Sequence, residues 1–361
     1  MSDARTEGGS VKLMKDRNRG SSVLSNRAGL MLPLLLILTG CLLPMSEIDY
    51  DLRKEGRIID FDYLRDVSFG PDGTVYLSGS ARSWGNARSL CRWSEGGGLE
   101  RLHVFDTDIT NIAACRTGVF VALGEQLVLW HLDGTLETVE VFADKIQEMF
   151  ALTDYILVIA KIDRNIHDFY LFPQSGETYT DSVRRVDPAR GGAYAPAQGR
   201  IYLVEDDGLY YTDDHLWYLE IDESSGSIVR AVGSGYLADP PLVLSLDEQF
   251  LVDGDGEVFE VSGTISKVYT GGVRVPGAFG PGYAAAGSWD WDESADILFV
   301  RSMGCYPGFC GQVEWVELAI LHGDVEAMIH LNNALHIVTR DDFEEKIYIY
   351  EIDDSIILEA L

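Results

Sequence analysis

The chain has 361 residues and a formal charge of −30, with 58 Asp+Glu against 28 Lys+Arg. An acidic excess of this size argues against nucleic acid as a partner, because a phosphate backbone must be met by basic side chains. The length suits one large domain or two ordinary ones. Lys is scarce, at seven in all. Solubility, repulsion between neighbouring copies or a salty habitat accounts for the acid; capture of cations or of a basic partner is the functional alternative.

Residues 1–27 are polar and carry Lys12, Lys15, Arg17, Arg19 and Arg27, and residues 28–40 read AGLMLPLLLILTG without a charge. A basic leader followed by a 7–15-residue apolar stretch and small residues is a secretory signal. The run falls short of the roughly 20 residues a spanning helix needs, and Pro33 weakens it further as a helix. It ends in Leu38-Thr39-Gly40-Cys41. That string resembles the lipobox of bacterial lipoproteins. The resemblance implies lipidation of the Cys41 sulfur, cleavage before it and acylation of the new amine by a palmitate-type chain. The alternative is an ordinary signal or an uncleaved anchor with Cys41 a bystander. The leader is long for that family, and a start at Met14 would give it an ordinary length. Division follows as a signal over 1–40, a tether over 41–56 and a folded body over 57–361. Without the leader's six basic and three acidic residues, 22 and 55 remain of the 28 and 58, a formal charge of −33.

From residue 60 one pattern recurs. A strand rich in β-branched and aromatic residues follows a turn: TVYLSG (74–79), GVFVALG (118–124), DYILVIA (154–160), RIYLVED (200–206), QFLVDGD (249–255), DILFVRS (296–302) and ALHIVTR (334–340). Each is followed by a second strand: SLCRW, QLVLW, DFYLF, HLWYL, EVFEV, QVEWV and KIYIY, starting at 89, 126, 168, 215, 257, 312 and 346. The mean interval is about 43 residues, and repeats of several short strands at about 40–50 mark a β-propeller. LRDVSF (64–69) leads the first unit, LERLHVF (99–105) closes it, and no amphipathic helix is evident after residue 57. The expected fold is all-β, a single propeller of seven four-stranded blades, with six or eight as alternatives. RIIDF (57–61) is expected to pair into the last unit and close the ring. A β-sandwich would not give seven like copies.

FGPDGTVYLSG (69–79) and WDWDESADILFVRS (289–302) resemble repeat strands of TolB-like and related bacterial propellers. The Trp-Asp pairs at 289–292 are expected to precede a strand, whereas the WD40 signature ends one. Within each unit the two strands are joined by connections of uneven length, at 80–88, 161–168, 205–215, 301–312 and 339–346. Equivalent loops of a repeat protein emerge on one face, often the binding face. Trp84, Tyr210, Tyr211, His215, Tyr306, Phe309 and Phe343 are therefore expected on one rim with Asp206, Asp207, Asp213, Asp214, Asp341 and Asp342, fit for a sugar, a peptide or a basic partner. Ordinary solvated loops are the plainer reading.

With Cys41 assigned to lipid, four cysteines remain, an even number for an oxidising compartment. Cys305 and Cys310 in GCYPGFCG suit a local disulfide; Cys91 and Cys115 could form a second or remain buried thiols. Asp253-Gly254-Asp255-Gly256-Glu257 fails the EF-hand pattern, since Val258 stands sixth and Thr264 twelfth, and reads as a hairpin turn. No G-x-S-x-G or H-E-x-x-H motif occurs. His131, His322, His330 and His336 sit on or beside strands, as structural histidines do. No cofactor, metal or catalytic residue is assigned. The expectation is a lipid-anchored envelope protein, on the outer membrane if the organism has one because Leu42 rather than Asp follows Cys41, whose propeller binds or scaffolds a protein, peptide or glycan. A hydrolase or lactonase at the channel mouth, and a subunit of an envelope assembly or transport complex, are the alternatives.

Overall fold

The computed structural model describes residues 57–59, 63–80, 87–94, 98–163, 166–185, 189–205, 215–269, 277–281, 283–290, 295–302, 316–341 and 346–361. Strand β1 (Arg57–Ile59) comes first. Sheet I holds β2 (Tyr63–Phe69), β3 (Val75–Ser80), β4 (Ser89–Ser94) and β5 (Gly98–Val104). Sheet II holds β6 (Asn111–Ala114), β7 (Gly118–Leu123), β8 (Gln126–His131) and β9 (Leu136–Val141), and sheet III β10 (Ile146–Ala151), β11 (Tyr155–Asp163), β12 (Ile166–Pro173) and β13 (Asp181–Arg185). Sheet IV follows with β14 (Ala189–Ala195), β15 (Arg200–Glu205), β16 (His215–Asp222) and β17 (Ser227–Leu237), then sheet V with β18 (Val243–Leu244), β19 (Phe250–Val252), β20 (Val258–Glu260) and β21 (Ser266–Tyr269). Sheet VI is β22 (Ala278–Gly280), β23 (Tyr283–Asp290), β24 (Ala295–Ser302) and β25 (Val316–Ile320). Sheet VII is β26 (Asp324–Leu331), β27 (Ala334–Asp341), β28 (Lys346–Asp353) and, returning from the start of the chain, β1. All these pairings are antiparallel, and a helix, α1 (Asp354–Ala360), ends the chain.

The sheets form a ring because each middle strand is apolar on both faces. Leu77 packs with Val338 and Ile349 of sheet VII, while its neighbour Tyr76 packs with Ile112 and Val119 of sheet II. Alternation along a strand sends successive side chains to opposite faces. A strand flanked by sheets on both sides therefore reads as an unbroken apolar run. The same join recurs between II and III (Leu129, Phe172), III and IV (Phe169, Trp217) and IV and V (Tyr202, Phe259). It recurs again between V and VI (Val252, Phe279) and VI and VII (Leu298, Leu335). First strands of successive sheets lie side by side around a channel, and fourth strands form the rim. This is one β-propeller. Its ring closes as expected, with Arg57, Ile58 and Ile59 opposite Ile349, Tyr348 and Ile347.

Three expectations need correction. In the sixth unit the residues read as first strand of the pair, 296–302, belong to the third strand of sheet VI, and Val316 opens the fourth. The true second strand is β23, YAAAGSWD, whose buried Ala284, Ala285 and Ala286 lack the β-branched signature. Trp289 and Asp290 accordingly end β23 as well as preceding β24. Lastly, α1 was not foreseen. Asp353 caps it by accepting from Ser355 N at 2.8 Å, and Ile357 is fully buried among residues of sheets VI and VII.

Candidate functional site

The ring has two faces. Connections between second and third strands, and those leading to the next sheet, define the upper face; the other two sets define the lower. Residues 81–88, 164–165, 206–214 and 342–345 stand in the sequence between second and third strands, whose adjoining ends meet at the upper face. In sheet VI the third strand ends at Ser302 and the fourth opens at Val316, both at the lower face. Tyr306 and Phe309 fall in the sequence between these two strands, a consequence of the one-strand shift in sheet VI. His215 opens β16 and Asp341 closes β27, both on the upper side. Trp84, Tyr210, Tyr211, Tyr306, Phe309, Phe343, Asp206, Asp207, Asp213, Asp214, Asp342, Cys41, Cys305 and Cys310 lie outside the described residues. Among the described residues no helix is long and apolar enough to cross a membrane.

The Cys91–Cys115 disulfide is not formed, and both thiols are free and buried. Cys91 packs toward sheet VII with Leu77 and Trp93, whereas Cys115 packs toward sheet III with Phe120 and Phe172. The two sulfurs thus serve opposite interfaces. Burial pushes the Cys91 thiol up to about 11, which makes it inert at neutral pH.

At the upper mouth of the channel the first strands share a device. A register shift falls near the start of β2, β10, β14 and β26, and bulges of this kind re-aim side chains at barrel rims. Just beyond it, Asp66 accepts from Val67 N at 2.9 Å and reaches across to Ile112 N of sheet II at 2.7 Å. Ser68 accepts from Ala114 N at 2.9 Å, and Glu148 of sheet III accepts from Gly191 N of sheet IV at 3.0 Å. A first strand is a sheet edge whose outward donors need partners, and the preceding sheet supplies them. Burial pushes the Asp66 carboxyl up to about 6, against the lowering pull of its two backbone donors. Asn111 holds the place in β6 that Asp66 holds in β2. The two are opposite Ala122 and Ser78, and Asn111 Oδ1 is buried without a hydrogen bond. The signal for this set was present as LRDVSF, TNIAA and IQEMFA, each with polar residues set among apolar ones.

Several acids of the lower face are turn builders. Asp72, Asp133, Asp222 and Asp247 accept from Thr74, Thr135, Ser224 and Gln249 N at 2.9–3.1 Å. Donors from Thr135 hold Asp133 below the usual carboxylate range, and donors from Ser224 and Ser225 do so for Asp222. The Asp253 segment is the hairpin expected: its buried carboxylate accepts from Asp255 N at 3.1 Å, Glu257 N at 2.8 Å and Asp239 N at 3.2 Å. His330 lies 3.0 Å from Asp354, which also accepts from the Tyr283 hydroxyl at 2.7 Å, so this histidine pins α1 to the ring. Among the described residues no group of three or more His, Cys, Asp and Glu is placed to hold a metal ion.

No family model matches this chain, and no curated protein sequence matches it. Its fold is similar to a chain of the solved Mitotic Checkpoint Complex, at a TM-score of 0.56 and 10% identity over 94% of this chain and 100% of that one. It is similar also to the Cps50 (Swd1) beta-propeller domain of Myceliophteria thermophila, at a TM-score of 0.53 and 14% identity over 82% and 98%. At such identities the likeness speaks to architecture alone, and the architecture is a β-propeller.

Proposed function

We propose that this chain is a lipid-anchored envelope protein whose seven-bladed propeller is a non-catalytic binding or scaffold module. The observation that carries the module reading is the engagement of the channel-mouth acids. Asp66 and Glu148 hold the backbone of the neighbouring first strand, so these carboxylates serve the ring rather than a substrate. What remains for recognition is surface on a rigid disc. A chain of similar fold occurs in a solved complex, which fits a binding role. The anchor reading rests on the basic leader, the apolar run and Cys41, and it places the body outside the cytoplasm. Outer-membrane attachment follows from Leu42 by the lipoprotein resemblance. The Cys305–Cys310 disulfide belongs to the same reading.

Two measurements test it. Wild type should partition into detergent and carry the mass of acylated Cys41, while Cys41→Ser should leave the membrane or stay as uncleaved precursor; identical fractionation and mass would refute the anchor. In-cell crosslinking from surface positions should yield a discrete envelope partner. Turnover of an ester, lactone or glycan substrate by the purified chain would refute the non-catalytic reading.

A further inference from the structure

We infer that the groove between sheets II and III is a docking site for an extended, basic segment of a partner protein, which adds as a fifth strand to the free edge of β9. The inference rests on the binding-module reading and names its site and partner chemistry. The groove has a volume of about 470 Å3 and is lined by Glu137, Thr138 and Val139 of β9 and by Gly176, Glu177 and Thr178. Its shape depends on Gly176. This residue has φ +86°, and a Cβ on it would stand 2.8 Å from the Leu129 side chain. Most of the lining is polar; beside it, Val139 packs on the cluster joining the two sheets, and Tyr179, 38% exposed, meets Tyr170 and Phe172 edge-on at 5.1 and 5.7 Å. Leu136 and Val141, at the two ends of β9, are 41% and 62% exposed.

Charge sets β9 and β25 (VELAI) apart from the other five rim strands, each of which carries an Arg or Lys, and β9 holds the more carboxylates of the two. Natural sheets guard an edge with cations. Arg101 lies on β5, and Arg184 of β13 binds Asp168 at 2.8 Å. Arg230 of β17 binds Glu220 at 2.5 Å, and Lys267 of β21 pairs with Glu257. Strand β9 reads LETVEV, with two carboxylates and no cation, and Glu177 adds a third across the groove. The neighbour at hand is the His131 ring, whose Nε2 lies 3.2 Å from a Glu137 carboxylate oxygen. An incoming strand satisfies the edge through its main chain and is selected through alternate side chains. Here those side chains must be aliphatic, to cover Leu136 and Val141, and Lys or Arg, to meet the carboxylates. A second copy of this chain fits poorly, since β9 against β9 brings like charges together.

The test uses the full chain in detergent and a fluorescent ten-residue peptide alternating Lys and Val. A Glu/Val peptide and a Lys/Val peptide N-methylated at alternate residues serve as comparisons. The Lys/Val peptide should bind and slow amide exchange over 136–141, and the other two should not. The double variant Glu137→Lys/Glu177→Lys should weaken Lys/Val binding roughly tenfold, the loss expected of two exposed charge pairs. Absence of binding at millimolar peptide, unchanged affinity in the double variant, or equal binding of the N-methylated peptide would each overturn the site. Concentration-dependent dimers abolished by the double variant would overturn it in favour of self-association. An envelope crosslink that survives in the double variant, with no peptide binding, would leave the module reading standing and remove this site alone.

Discussion

Replacing Asp66 by Asn tests the stapling of first strands. The carboxylate offers one oxygen to Val67 N and the other to Ile112 N. Asn keeps one acceptor and turns the other into a donor, so one backbone N–H loses its partner at a cost of about 1–3 kcal/mol. A second effect depends on pH. Burial raises the carboxyl from 3.8 to about 6 in the folded chain, so the group supports folding fully below pH 4 and loses that contribution as pH climbs toward 6. At about 1.36 kcal/mol per unit the loss is at most about 3 kcal/mol, and closer to 2 after solvent screening of a site that is only partly covered. Asn cannot titrate. Urea unfolding at half-unit steps from pH 4 to 7 should therefore show the variant's deficit shrinking by about 2 kcal/mol between pH 4 and 6.5, then levelling. A deficit constant with pH, or one that widens as pH rises, would refute the reasoning.

Further expectations concern the ring and its joins. Ile58→Pro removes a donor from the closing pair with Tyr348; it should destabilise by about 3 kcal/mol and speed amide exchange in β28 before other middle strands. Tyr283→Phe removes the hydroxyl donated to Asp354; a loss of about 1–2 kcal/mol should appear with faster exchange in α1, and unchanged melting would contradict the buried cluster. Gly118→Ala sets a Cβ 2.0 Å from the Trp130 carbonyl oxygen while Gly98→Ala meets open space. Because Gly98 also has φ +70°, its variant should lose about 1 kcal/mol of strain alone, and Gly118→Ala should melt well below it. Iodoacetamide under non-reducing denaturant should label Cys91 and Cys115 completely, with no linked peptide between them.

Much of the fold was legible because a propeller repeats. A middle strand covered on both faces leaves a run such as GVFVAL, and turn residues mark its ends. The reading slipped where composition departs from that rule. Strand β23 packs through Ala284, Ala285 and Ala286, side chains as compatible with a helix as with a strand, so the count moved on to the next β-branched run. Helix α1 was missed because the reading stopped at the strand KIYIY (346–350) and did not take Asp353 beyond it as a cap. The staple at Asp66 and Glu148 was present as polar letters, but their partners are backbone amides 46 and 43 residues away, and backbone leaves no letter. Cys91 and Cys115 show the converse, since even counting suggested a bond that opposite facing forbids. The groove at β9 depends on Glu137 of sheet II and on Gly176 and Glu177 beside sheet III, a juxtaposition that appears only once the sheets are packed.

Closing the ring with β1 also imposes an order on biogenesis. Residues 57–59 are synthesised before the rest of the folded body, yet their strand partners lie at 347–349. For nearly the whole of synthesis the earliest strand is an orphan, because the other three strands of sheet VII are the last to be made. Contacts of such sequence separation form late and slowly. The interval is one in which an apolar Ile58–Ile59 edge is open to chaperones, to proteases and to the strands of neighbouring nascent chains.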